Sequence, residues 1–65
     1  MEKFDNNETV YRVMWRTKDF EVNERKFQDE DEARSFYYSI TKPAKLRELD
    51  VIKEMKFYTI LWELL

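Results

Sequence analysis

The sequence contains no cysteine, no histidine and no glycine, and Pro43 is its single proline. Without cysteine there is no disulfide framework, and without cysteine or histidine there is no conventional structural zinc site. The same gaps remove most of the parts from which active sites are built: no His base, no thiol nucleophile, no Gly-rich phosphate loop. Acid–base work would fall to carboxylates or lysines, and the pattern singles out none of them. The expectation is a protein that is not an enzyme and that carries no cofactor and no catalytic or structural metal. Without glycine, turns have to be made by Asn, Asp and Lys.

Long apolar runs are missing as well. The most apolar stretch, FYTILWELL at residues 57–65, is far shorter than the roughly 20 residues needed to cross a bilayer. The first residues, MEKFDNNET, lack the apolar segment of a secretory signal. No membrane association is expected, and the cytoplasm is the expected location. Neither sign of charge dominates, with 12 basic and 14 acidic side chains interleaved. That balance argues against a dedicated polyanion binder.

What is present is a short, aromatic-rich chain. Its 65 residues form one small domain, of a size that buries roughly 60% of the surface its unfolded chain exposes. Small domains usually add disulfides, a metal or a second subunit. With the first two excluded, the five Phe, four Tyr and two Trp must supply a dense core, and a homodimer is expected. Residues 1–8, with Asp5, Asn6 and Asn7, read as a flexible leader, and residues 9–65 as the domain.

From Thr9 to Lys18 the apolar residues alternate, with Tyr11, Val13 and Trp15 on one face and Arg12, Arg16 and Lys18 on the other. Period two with β-branched and aromatic residues predicts a strand. Lys18-Asp19 is the expected turn, and Phe20 to Gln28 the return strand. A bulge near Asn23-Glu24 would place Phe20, Val22 and Phe27 together on the core side.

The run DEDEARSFYYSITKP predicts a helix. Asp29 is its expected N-cap, with Glu32 completing a capping-box pattern, and the acidic first turn suits the helix dipole. Ala33, Phe36, Tyr37 and Ile40 recur at i, i+3, i+4, i+7 and form one apolar face, which should cover Tyr11, Val13 and Trp15. Pro43 disfavours helical backbone at Lys42, so the helix should end there. Capping accounts for the DEDE run without a bound cation.

Residues 44–55 are rich in helix formers, and Pro43 suits a helix N1 position, so a helix is one reading of this segment. But Leu46, Leu49, Ile52 and Met55 recur every three residues and hold no single helical stripe. The favoured reading of 44–65 is a third strand from about Leu46 to Glu54 and a fourth from about Phe57 to Glu63, or one long bent strand. On strand parity, Leu49, Val51, Met55, Phe57 and Leu61 share one face, and Ile52, Tyr58, Ile60 and Trp62 share the other. The expected fold is α+β: a small antiparallel sheet of three or four strands with one helix on one face, in the order ββαβ(β). A single helix covers only one face of a sheet. The last strand is apolar on both, so its second face calls for a partner.

The expected function is therefore a non-catalytic protein-binding module, an inhibitor or adaptor that occludes another protein. Trp and Tyr dominate binding hot spots, which makes Trp15, Tyr38, Tyr58, Ile60 and Trp62 the expected partner interface. The alternative is a small nucleic-acid-binding or regulatory protein. It would use a basic sheet face of Arg12, Arg16, Lys18 and Arg25, since cations interleaved with aromatics suit single strands.

A short hairpin, then F-x-D-E-D-E-A-R-x-F-Y, then a closing strand resembles small accessory proteins of bacteriophages and related mobile elements. The residues that carry the likeness are Phe27, Asp29 to Arg34, Phe36 and Tyr37. The resemblance implies a compact ββαβ domain that binds a host protein, for instance a defence or transcription factor. It transfers no functional residue, because the matching positions are caps and core.

Overall fold

A computed structural model describes residues 9–17 and 21–65. The elements follow as β1 (Val10–Arg16), β2 (Val22–Phe27), α1 (Glu30–Ser39), β3 (Leu46–Lys53) and β4 (Lys56–Leu64). The four strands form one antiparallel sheet in the order β2-β1-β3-β4, with α1 lying on one face. This is the expected α+β arrangement, with four strands. β1 and β3 are interior, and β2 and β4 are the two edges.

Alternation along β1 sends Tyr11, Val13 and Trp15 toward the helix. There Val13 and Leu49 of β3, its Cα partner, pack with Ala33, Tyr37, Ile40 and Ala44 to form the buried core. Phe36 closes one end of this layer, its ring 5.4 Å from those of both Trp15 and Phe27. Arg25 lies on the same side, its guanidinium 5.3 Å from the Phe27 ring and 5.2 Å from the Phe36 ring.

The helix starts where its sequence predicts. The Asp29 carboxylate accepts from the Asp31 N–H at 2.9 Å, and Glu30, Asp31 and Glu32 fill the first turn. It stops earlier than Pro43 alone requires: Ser39 is the last helical residue and Ile40 is already extended. The final turn holds no basic residue of its own, so Arg47 of β3 supplies one. Its Nη1 donates to the Tyr37 carbonyl at 3.2 Å and to the Ile40 carbonyl at 2.9 Å, where the helix dipole favours a cation. Arg47 also pairs with Glu63 at 2.6 Å, and the Tyr37 hydroxyl donates to the same carboxylate oxygen at 3.0 Å. Burial, reinforced by this bond to Glu63, pushes the Tyr37 phenol up to about 12. These three side chains fasten α1 to β3 and β4.

The strand boundaries in the second half agree with expectation, but the faces do not. The bulge expected near Asn23-Glu24 is absent. β1 and β2 pair without a break from Tyr11–Phe27 to Arg16–Val22, so Val22 faces away from the helix and is exposed. Phe27 reaches the core through regular alternation instead. Phe20 and the Lys18-Asp19 turn lie outside the described residues. The irregularity falls in β4: Leu49 pairs with Leu61 but Asp50 with Thr59, which leaves Ile60 as the extra residue. A bulge reverses the parity of everything beyond it. Tyr58, opposite Val51, therefore lies on the helix side, whereas Trp62, opposite Glu48, lies on the open side. Ile60 packs toward the core beside Leu61. Phe57 pairs with Ile52 and is on the open side, not with Leu49 and Val51.

β3 and β4 are two strands joined by a tight turn at Glu54-Met55, not one bent strand. Both turn residues have positive φ, 51° and 65°, the geometry favoured in two-residue hairpins and ordinarily served by Asn-Gly. Met55 is almost fully exposed and contributes no core packing. Met55→Gly is therefore expected to raise stability by about 1 kcal/mol, the relief of left-handed strain less the entropy of glycine. Urea unfolding followed by far-UV circular dichroism measures it, and a loss of stability would contradict the turn geometry.

Candidate partner-binding face

The face of the sheet opposite α1 has no covering element among the described residues. Parity assigns to it Arg12, Met14 and Arg16 of β1 and Val22, Glu24 and Lys26 of β2. From the other two strands it takes Leu46, Glu48, Asp50 and Ile52 of β3, and Phe57, Thr59, Trp62 and Leu64 of β4. Its apolar side chains concentrate on β4, where Phe57 is 55%, Trp62 58% and Leu64 74% exposed. Large apolar side chains gathered on one exposed sheet face are the usual mark of a contact surface.

At the centre of this face is a charged cluster. Arg12 donates to Asp50 Oδ2 through Nε at 3.0 Å and Nη2 at 2.6 Å. It also reaches Glu24 at 3.3 Å and Glu48 at 4.0 Å. The Phe57 ring lies 4.5 Å from the guanidinium carbon, a cation–π contact that covers the pair. Asp50 is consequently only 1% exposed although it belongs to the open face.

Three carboxylates thus crowd one guanidinium. The Glu48 carboxyl is pushed up to about 7, first by a hydrogen bond to Asp50, then by burial and by the charge of Asp50, against the smaller opposing effects of Arg12 and Thr59. Asp50 Oδ1 is buried with no donor among the protein's other described groups, so a proton carried by Glu48 gives it one.

The structure does not bring the five residues expected at the interface onto one surface. Trp62 is on the open face. Tyr58 is half-exposed on the β4 edge, on the helix side. Tyr38 is exposed on α1, its ring 5.0 Å from that of Tyr37. Trp15 is half-buried against Phe36, and Ile60 is half-buried at the bulge. Of the four residues of the basic alternative, Arg12 and Arg16 share the open face, with Arg16 half-buried and its Nε enclosed. Arg25 does not join them, because alternation turns it to the helix side, and Lys18 lies outside the described residues. Arg12 is engaged by its carboxylates, so these side chains do not form a basic row.

Strand reading passed over Glu48 and Asp50 and placed Phe57 on the wrong face. The signal for the first two is the alternation in LRELDVIK, which puts Glu48 and Asp50 on one face between Leu46 and Ile52, opposite Met14 and Arg12 of β1. No protein-family model, curated protein or solved structure matches this chain.

Proposed function

We propose that this protein is a non-catalytic protein-binding module, acting as an inhibitor or adaptor by covering a surface of another protein, and that it works as a homodimer. The observation that carries this reading is the uncovered sheet face with Phe57, Trp62 and Leu64 exposed along one strand. An apolar patch buried against a partner supplies affinity, and the charges around Arg12 at its centre and Lys26 at its margin set register and association rate. The resemblance of the helix-start pattern to mobile-element accessory proteins adds a candidate class of target, a host defence or transcription factor.

Trp62→Ala tests the reading. Trp62 is more than half exposed, so its removal leaves the core intact. If it is an anchor, its loss costs about 2 kcal/mol or more of binding, roughly thirtyfold in affinity. A pull-down from cell lysate should retain a partner on the wild type and lose it on the variant, with matching circular dichroism spectra. Equal retention by both proteins would mean that this face is not where the partner sits.

A further inference from the structure

The two edges of the sheet are built differently. β2 has six residues and carries three consecutive charges, Glu24, Arg25 and Lys26. Charged side chains on a short strand are a standard defence against edge-to-edge pairing. β4 has nine residues, no proline, and charges only near its ends, at Lys56 and Glu63. A long apolar edge of this kind is a template for another strand.

The geometry points to a second copy of the chain as the occupant of that edge, paired antiparallel along β4 about a two-fold axis perpendicular to the sheet. Lys56 of each copy then lies beside Glu63 of the other, Phe57 beside Trp62, and Tyr58 beside Leu61. This rests on the homodimer reading above and gives it a surface.

Charge complementarity selects this register. The opposite charges sit at opposite ends of β4, so an antiparallel copy matches them twice. The Ile60 bulge is what allows the match. Cross-strand neighbours must lie on the same face of a sheet. In a regular strand laid against itself about a two-fold axis, Phe57 and Trp62 could not be neighbours, because their numbers have opposite parity. The bulge reverses parity between them, so both reach the open side. By the same reversal Lys56, Tyr58, Leu61 and Glu63 all lie on the helix side. Thr59 and Ile60 fall at the axis, where the ladder is interrupted. The Glu63 carboxylate remains half-exposed despite its contacts with Arg47 and Tyr37. The axis keeps both helices on one side, so the two open faces merge into one surface with the Phe57–Trp62 pairs at its middle.

The test is sedimentation equilibrium at micromolar concentration on the wild type, Lys56→Glu, Glu63→Lys and an equimolar mixture of the two variants. Each single reversal places like charges together at both ends and should weaken self-association about tenfold or more. The mixture should restore it, because at one end of the mixed pair both side chains are reversed and meet again as opposite charges, while the other end keeps its native pair. Glu63→Lys also disturbs the Arg47 contact, so a second pair guards against misfolding. The chain has no cysteine, and Phe57→Cys mixed with Trp62→Cys should give a disulfide-linked heterodimer under mild oxidation, whereas Phe57→Cys mixed with Leu64→Cys should not. A wild-type dimer that neither reversal weakens and that the first cysteine pair fails to link would overturn this register while leaving the homodimer standing. A wild type that is monomeric throughout would remove the homodimer itself, and partner capture by Trp62 would remain a separate result.

Discussion

Arg12→Met is expected to cost about 3–5 kcal/mol, the penalty for leaving a buried charge without its counter-ion. Against a total of roughly 3–10 kcal/mol for a chain of this length, that is enough to unfold much of the population at neutral pH. The reason is the position of Asp50. It is 1% exposed, and its Oδ2 accepts from both the Nε and the Nη2 of Arg12. Met preserves the aliphatic stem against Phe57 while removing the charge. Arg12→Met combined with Asp50→Leu should recover most of the loss, since an apolar pair of similar volume is often as stable as a buried ion pair. Urea titrations of the two variants measure both effects. A single variant within about 1 kcal/mol of wild type would show that Asp50 is satisfied by something other than Arg12.

Glu48→Gln is expected to act in the opposite direction and only at higher pH. The native carboxyl holds its proton up to about pH 7, whereas an ordinary glutamate releases it near 4.5. Between these values the folded chain binds a proton that the unfolded chain has lost, so wild-type stability falls as pH rises through the window and levels off above it. Gln cannot ionise, and its amide can donate to Asp50 Oδ1 as the protonated acid does. At about pH 8 the variant should be more stable by on the order of 2 kcal/mol, and at about pH 4 nearly equal to wild type. For a domain of this size that is a rise of about 10 °C in Tm. Thermal unfolding across the pH range decides the matter. A wild-type stability that does not decline between these limits would mean that the Glu48 carboxyl is not held above the ordinary glutamate range.

The fold is legible because the strongest signals are local and mutually consistent. Alternation in VYRVMWR, the acidic cap before Ala33, and the i, i+3, i+4, i+7 spacing through Ile40 each specify an element and the side it buries. The faces of β4 are not legible, since FYTILW is apolar at both parities and offers no glycine to mark a bulge. Ile60 is extra only because Leu49 and Asp50 of β3 take Leu61 and Thr59 as neighbours, which is a property of the pairing and not of either strand. Asp50 is hidden for a similar reason. Its burial depends on Arg12 and Phe57, which reach it from the two strands beside its own. Arg25 is misplaced because Val22 reads as an inward residue, which turns Arg25 outward by plain alternation; in the sheet Val22 faces out and Arg25 shares the helix side with Phe27.

The charged β2 edge has a consequence for how far assembly proceeds. A unit with two adhesive margins would add copies without end and grow into a fibre. Here Glu24, Arg25 and Lys26 line one margin, so if copies join along the other, neither has a second adhesive margin on which to pass the contact on. Under the proposed pairing, growth along the sheet would end at two copies.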